Sequence, residues 1–361
     1  MPISAVDTIT LAFQHTKRQL VEPFRFGQWT RLAVVGLLAG EMGSGGCNVP
    51  SSNFNLPQQP GSSRHFLEQG LPNIDPAILG GLIATLVVTG LVFVIVMTYV
   101  SSVMRFILFD SVLAKECHIR QGWNRRQGPG WKYFLWQLGF LLALLAGMAV
   151  LLGIPAGFAF ALGWFTAPHD HLLGLVLGGI VEFFLLFVFF VTAAVVHVLT
   201  KDFVVPQMAL EGIGIDVIEG WRRLWPMMQV EKGGYAVYLL MKIVLAIGAG
   251  IVVGIVSVIL ALMVAIPTVL LGIVAAVTGK TAGLTWNAFT ITVAVVAGCV
   301  LFAAFFYLVS LLAVPAIVFF PAYAIYFFAG RYQALSLVLY PPAAAASDSG
   351  GPSTLAPEMG D

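Results

Sequence analysis

The sequence predicts an all-α protein: a polytopic integral membrane helix bundle with about six transmembrane helices in three hairpin repeats, joined to amphipathic helices at the cytoplasmic interface. Its 361 residues are 59% hydrophobic and only 10% charged, whereas soluble domains carry about 25% charged residues. Several apolar runs exceed the ~20 residues that cross a bilayer. Trp and Arg also recur together in three polar segments, and their spacing suggests a repeated unit.

The first 31 residues predict a helical segment on the membrane surface. Ser4-Ala-Val-Asp7 has the form of a capping box, and it predicts a helix that begins near Ala5. Residues 29–40 follow as the first and shortest predicted span. One face of the surface helix is mainly apolar and carries Val6, Ile9, Thr10 and Phe13.

Five further apolar segments predict the remaining spans: residues 76–104, 133–165, 172–199, 236–278 and 289–329. The last two are about twice the length that a ~30 Å hydrocarbon core requires. Each contains a proline, Pro267 or Pro315, at which a helix could kink or break. Two spans in each segment would give eight in total. Because no polar turn interrupts either segment, we predict one span in each.

The predicted domain organisation is one transmembrane domain, residues 1–335, followed by a C-terminal tail, residues 336–361, of disordered composition. Within the domain, Trp29-Thr-Arg31, Trp123-Asn-Arg125 and Trp221-Arg-Arg223 recur, with tryptophans 123 − 29 = 94 and 221 − 123 = 98 residues apart. A second set of marks is Phe109-Asp110, Val205-Pro206 and Phe320-Pro321.

These marks predict three pseudo-repeats, at about residues 1–109, 110–205 and 206–335. Each would hold an interfacial helix, an outward span, an external loop and an inward span. Repeats of this kind often place a site at their interface. The alternative is that Trp and Arg recur at any membrane interface for local reasons.

Orientation is predicted by the distribution of Lys and Arg. Sixteen of the eighteen lie in or beside the N-terminal segment and the two later polar segments, or at Arg331. Only Arg64 and Lys280 fall on the other side. The positive-inside rule then predicts a multi-pass protein of a bacterial inner membrane with both termini in the cytoplasm.

The Trp/Arg segments are candidate binding sites for anionic lipid headgroups at the cytoplasmic interface. In the third segment, Glu219 and Arg223 are placed for an i,i+4 ion pair. Such a helix lies in the interface with aromatic side chains among acyl chains and arginines at headgroup phosphates. The alternative is that it only anchors the bundle. The candidate residues are Trp123, Arg125, Arg126, Trp221, Arg222 and Arg223.

Glu182 is a candidate of another kind, because it lies in the middle of the fourth predicted span. A carboxyl group at membrane depth is costly and by default indicates a functional site. The alternative is a protonated Glu that is hydrogen-bonded to a neighbouring helix. His169-Asp170-His171 is the only cluster that resembles a metal site, and we predict no metal there because no fourth ligand is evident.

The turn Asp202-Phe-Val-Val-Pro206, followed by Glu219-Gly-Trp-Arg-Arg223 and a return into the membrane, resembles the uncharacterised bacterial families grouped with the membrane domain of glycerophosphodiester phosphodiesterases. The resemblance implies a membrane module. It does not imply the hydrolase activity, because the sequence has neither the catalytic barrel nor a His-Arg/Glu-x-Asp constellation.

The leading hypothesis is therefore a non-enzymatic module that binds membrane lipids or a membrane protein partner, with no catalytic residue, metal or cofactor. A net charge of +1 argues against nucleic acid as a partner. One alternative is a transporter, suggested by the repeat, Glu182 and the two prolines. The other is a membrane-embedded enzyme acting on lipid, with Glu182 or the His169–His171 cluster at its centre.

Overall fold

The computed structural model describes residues 4–22, 24–41, 76–164, 169, 171–211, 214–281 and 288–340. These residues form helices and short connections, and they include no strand, which confirms the all-α prediction. In chain order the helices are α1 (Asp7–Leu20), α2 (Phe26–Leu38), α3 (Pro76–Ala114), α4 (Ile119–Ala161), α5 (Leu172–Leu199), a π-helical turn (Thr200–Val204), α6 (Val205–Glu211), α7 (Val217–Val230), α8 (Lys232–Thr281), α9 (Ala288–Ala329) and α10 (Gln333–Leu339).

Five stretches of the described chain are long and apolar enough to cross a membrane: Ile83–Ala114, Ile119–Ala161, Leu172–Glu211, Lys232–Gly279 and Thr292–Ala329. The last two lie in the continuous helices α8 and α9, which confirms that no break divides either predicted segment.

The first predicted span differs from the structure. Helix α2 has 13 residues, about 20 Å at 1.5 Å per residue, which is shorter than a ~30 Å hydrocarbon core. It packs instead against α3 and α9. The described residues therefore contain five candidate spans rather than six.

The helices pack closely at one end of the bundle, which we call the packed end: α1, α2 and residues 99–134, 195–239 and 311–339. Nearly all of the buried hydrophobic core lies there. Beyond it, α3, α4, α5, α8 and α9 continue as apolar segments whose large side chains are mostly exposed. In their most apolar windows, 0% of residues are buried in α3, α4 and α5 and 6% in α8 and α9. We call these segments the apolar end, a surface suited to contact with lipid acyl chains.

Aromatic rings join the last three long helices at the packed end. The ring of Phe203 lies 5.1 Å from that of Tyr238 and 5.2 Å from that of Phe328. Tyr238 in turn stacks on Tyr323 at 5.1 Å. The π-helical turn after α5 is therefore packed between α8 and α9.

The predicted capping box is present at the start of helix α1. The helix begins at Asp7, two residues later than expected. The Asp7 amide donates to the Ser4 hydroxyl oxygen at 3.2 Å, and that hydroxyl donates to the Asp7 carboxylate at 2.7 Å. The backbone N–H of Thr8 also bonds the Ser4 carbonyl at 3.1 Å. The side chain of Ser4 thus satisfies an amide that would otherwise lack a partner at the helix start.

The polar face of α1 is the one that packs on the protein. His15 Nε2 lies 2.9 Å from the Val112 carbonyl oxygen and Nδ1 lies 3.1 Å from the Tyr326 hydroxyl. Burial lowers the pKa of His15, so the neutral imidazole donates to the carbonyl and accepts from the tyrosine. Val6 and Phe13, on the predicted apolar face, are exposed. That face therefore points mainly away from the bundle, and only Ile9 packs partly against the core.

The C-terminal part of the described chain also returns to the packed end. Helix α10 buries Leu335 completely, and the Tyr332 hydroxyl hydrogen-bonds Glu211. Residues 336–339 of the predicted tail form the last turn of α10. Residues 341–361 lie outside the described residues.

Candidate functional site

The third Trp/Arg segment forms α7, and its predicted site residues point in different directions. Trp221 faces inward, where its Nε1 donates to Thr200 Oγ1 at 2.9 Å. Arg223 is held by Glu211 at 2.7 Å and by Glu219 at 3.4 Å. The second of these contacts confirms the predicted i,i+4 pair.

Arg222 lies on the side of α7 opposite its buried residues Val217, Gly220 and Leu224, and its side chain is 77% exposed. Ile218 and Trp225, four residues before and three after it, share its face, and they are 73% and 56% exposed. Its contact with Glu219 at 3.2 Å is a surface ion pair, a type that contributes little to stability. This face therefore combines one cation with two large apolar side chains.

The second Trp/Arg segment lies in the first turns of α4. Arg126 is buried and forms a two-bond ion pair with Asp110, at 2.6 Å for each bond. It also donates to the Ala209 carbonyl oxygen at 2.7 Å, so it joins three chain segments. Trp123 packs edge-on against Tyr99 with centroids 6.2 Å apart. Arg125 is exposed and is the member of this group that faces outward.

Glu182 lies in the apolar end, on α5. Its Oε1 atom is buried and has no hydrogen-bond partner among the described residues. The predicted alternative, a hydrogen bond to a neighbouring helix, is not seen for this oxygen.

In the predicted metal cluster, Asp170 lies outside the described residues, and the ring of His171 stacks on Trp164 at 5.8 Å. The described residues hold no group of three or more potential metal ligands.

A polar cluster in the interior of the described structure was not predicted: four buried ionisable side chains and the nearly buried Lys201 meet at the packed end, where the apolar end begins. We call them the ion cluster. Two ion pairs are formed within it, Lys201 with Glu41 and Lys242 with Asp202. The Tyr238 hydroxyl donates to Asp202 at 2.9 Å. The members of the cluster are Glu41, Arg105, Lys201, Asp202 and Lys242.

The local backbone explains how these side chains converge. Pro206 lacks an N–H and its ring opposes the carbonyl of Asp202, which disfavours a regular α-helix there. The chain instead forms the π-helical turn Thr200–Val204, a feature often found at functional sites. The turn brings consecutive residues Lys201 and Asp202 into one cluster. After α2, Gly40 adopts φ +76°, which ends that helix and precedes Glu41.

Arg105 differs from the other two cations of the cluster, because no carboxylate pairs with it among the described residues. Its guanidinium donates to the Tyr133 hydroxyl, and to the Ala39 carbonyl oxygen at 3.0 Å. Its Nε atom is buried without a hydrogen-bond partner in the described structure. Burial by itself would raise the pKa of Glu41, but the charges of Lys201 and Arg105 outweigh it and lower the pKa to about 2.

A small cavity of about 30 Å³ lies within the ion cluster. All three of the second repeat marks contribute to its wall, through Phe109, Val205 with Pro206, and Phe320 with Pro321. The repeat itself stays a prediction. Its marks nevertheless meet at one place, and proteins built of such repeats often hold a site where the repeats meet.

The position of Lys242 in the sequence could have indicated this cluster. It lies inside the predicted span 236–278, and an ionisable residue in such a segment indicates a functional site by default. Its partner could not be deduced from spacing, since Asp202 is 40 residues away and the Glu41–Lys201 pair spans 160. Only the tertiary fold brings them together.

The fold and the apolar surface define the class: an all-α protein with several helices suited to crossing a membrane. A family model matches residues 3–338, and its description is "Family of unknown function (DUF7544)". The chain therefore belongs to this family. No curated protein and no solved structure matches it. No match links it to the membrane domain of glycerophosphodiester phosphodiesterases, so that resemblance rests on the short motifs alone.

Proposed function

We propose that this protein is a non-enzymatic membrane module that binds anionic lipids through their headgroup phosphates. The observation that carries the proposal is the exposed face of α7. There Ile218, Arg222 and Trp225 point away from the bundle, while Val217, Gly220 and Leu224 are buried against it. An aliphatic and an aromatic side chain beside one arginine suit a helix that lies in the membrane interface.

The position of α7 along the bundle supports this interpretation. Trp221 bonds Thr200, which directly precedes Lys201 of the ion cluster and follows the apolar helix α5. Lys132 pairs with Asp216 at 2.6 Å, so the start of α7 lies beside α4. Trp131, next to Lys132, is also exposed. Helix α7 therefore lies at the level where the apolar end begins, and headgroups occupy that level in a bilayer.

The proposed orientation places the packed end on the cytoplasmic side of a bacterial inner membrane. Helices α1 and α10 both belong to the packed end, so both ends of the described chain lie on one side of the bundle. That end also carries nearly all of the Lys and Arg, which the positive-inside rule places in the cytoplasm. The exposed apolar end would contact acyl chains or a membrane protein partner.

Replacement of Arg222 by Gln is expected to reduce retention of anionic lipid, because it removes the exposed cation and leaves the buried face of α7 intact. Native mass spectrometry would count phosphatidylglycerol and phosphatidylcholine molecules bound to the full-length protein. A cation near an anionic membrane surface contributes about 1 kcal/mol, so we expect roughly fivefold weaker phosphatidylglycerol binding and unchanged phosphatidylcholine binding.

Arg120→Gln is the matched control, because Arg120 is an exposed arginine of α4 with polar neighbours such as Asn124 and is not among the candidate binding residues. It should retain phosphatidylglycerol as the natural protein does. Equal retention by R222Q and the natural protein would refute the role of α7. Equal losses in both variants would show a nonspecific charge effect and would also refute it.

A second candidate function, transport, is favoured by Glu182. Its carboxyl oxygen is buried without a hydrogen-bond partner among the described residues, in a helix that could cross a membrane. Such a position is typical of residues on a proton or substrate path. Under the lipid-binding proposal, Glu182→Gln leaves phosphatidylglycerol retention unchanged. If transport is the function, proteoliposomes that contain the natural protein would show a solute flux driven by a proton gradient. This flux would disappear in proteoliposomes that contain E182Q.

A further inference from the structure

We propose that the cavity within the ion cluster binds one small monovalent anion of about the size of chloride. The inference is independent of lipid binding by α7. It rests on three properties of the cavity: the net charge of its walls, the guanidinium of Arg105, which pairs with no carboxylate of the described chain, and its volume.

The walls of the cavity carry more positive than negative charge. Arg105, Lys201 and Lys242 supply three positive charges, and Glu41 and Asp202 supply two negative charges, which leaves 3 − 2 = +1. Glu41 is ionised because its pKa is lowered to about 2 by Lys201 and Arg105, against the opposing effect of burial. A buried charge without a counter-ion is costly, and one bound monovalent anion would neutralise the cluster.

Arg105 is the group that would hold the anion. Its side chain is only 7% exposed, and both of its hydrogen-bond acceptors, the Tyr133 hydroxyl and the Ala39 carbonyl, are neutral. The Nε atom has no acceptor among the described residues. The two lysines differ in that each is paired with its own carboxylate. The excess charge therefore belongs to Arg105.

The volume of the cavity restricts the ligand. A water needs about 10–15 Å³ on this measure, so 30 Å³ holds a monatomic anion or about two to three waters. A phosphate ester with its four oxygens does not fit. The apolar part of the wall, including Leu108, Phe320 and Ile325, lowers the local polarity, which strengthens the attraction between the guanidinium and an anion.

The test compares halides with gluconate at constant ionic strength, using the full-length protein in mild detergent. Retention of radioactive chloride and the midpoint of thermal unfolding are measured as chloride replaces gluconate. We expect saturable retention of one chloride per chain, and a rise in the midpoint over the same concentration range, as for any ligand that binds only the folded state. Bromide should compete with the bound chloride.

Two variants locate the site. Arg105→Gln removes the excess charge and should weaken chloride binding at least about tenfold, because a hydrogen bond to a charged group contributes about 1.5–3 kcal/mol. Ala324→Val should also abolish retention. Ala324 is buried and lines the cavity, so valine fills the space while all five charges stay in place. Arg120→Gln, at an exposed arginine outside the cavity, is the control.

Chloride retention that R120Q keeps and A324V loses would support the site, even if R105Q does not fold. A natural protein that retains no chloride and unfolds at the same temperature in both salts would show that the cavity holds only water, and would overturn the proposal. Undiminished retention in A324V would overturn it as well, because the anion would then bind elsewhere.

Discussion

Replacement of Arg126 by Met is expected to lower the free energy of unfolding by about 3–5 kcal/mol, the cost typical of removing one partner of a buried ion pair. The Arg126 side chain is 7% exposed and that of Asp110 is 29% exposed. The substitution leaves the Asp110 carboxylate without its cation and the Ala209 carbonyl without its donor. Because these groups lie on three segments, α3, α4 and α6, the loss should loosen the whole packed end.

The unfolding free energy would be measured in mixed micelles of SDS and mild detergent by tryptophan fluorescence. Arg125→Met is a closely matched control, since it changes the adjacent but exposed arginine and should cost less than about 0.5 kcal/mol. The double variant R126M/D110L removes both charges and should recover much of the stability. Equal stabilities of R126M and R125M would show that the buried pair contributes nothing.

Gly130→Ala is expected to destabilise the protein by about 1–3 kcal/mol, the usual cost of overpacking. A Cβ atom at Gly130 would lie 2.7 Å from Val103 Cγ2 and 3.2 Å from Val103 Cα. A change of the Val103 rotamer could move its Cγ2 methyl group away, but the Val103 Cα atom belongs to the backbone of α3 and cannot move in that way. Helices α3 and α4 would therefore have to separate.

The comparison variant is Gly139→Ala on the same helix. No atom lies within 4 Å of the position that a Cβ atom at Gly139 would take, so alanine meets no neighbour there and should raise helix stability by up to ~1 kcal/mol. The two substitutions, measured by the same unfolding assay, are expected to have opposite signs. A shared sign would mean that the contact between α3 and α4 does not limit the size of residue 130.

The features that follow from local sequence were predictable. A long apolar run without a polar turn predicts one continuous helix, as in α8 and α9. The bond between Ser4 and Asp7 and the pair between Glu219 and Arg223 lie within one helical turn. Such contacts depend on spacing alone.

The features that depend on distant partners were not predictable. The polar face of α1 is the inward one because His15 contacts Val112 and Tyr326, which lie 97 and 311 residues away in the chain. Arg126 resembles Arg125 in the sequence, but only Arg126 finds a carboxylate among the described residues. The ion cluster likewise combines residues from four separate segments. Hydrophobic periodicity indicates that the two faces of a helix differ in polarity. Tertiary contacts decide which of the two faces is buried.

If the apolar end spans a membrane as proposed, it has a consequence for the surrounding bilayer. Helix α8 has 50 residues, about 75 Å at 1.5 Å per residue, more than twice a ~30 Å hydrocarbon core. Since the buried core lies mainly at the packed end, few buried contacts would fix the angles of the far ends in a membrane. Lipid molecules, rather than side chains, would then fill the gaps, and a thicker bilayer would draw the helices upright and narrow their spread. Membrane thickness would thereby set the width of this protein.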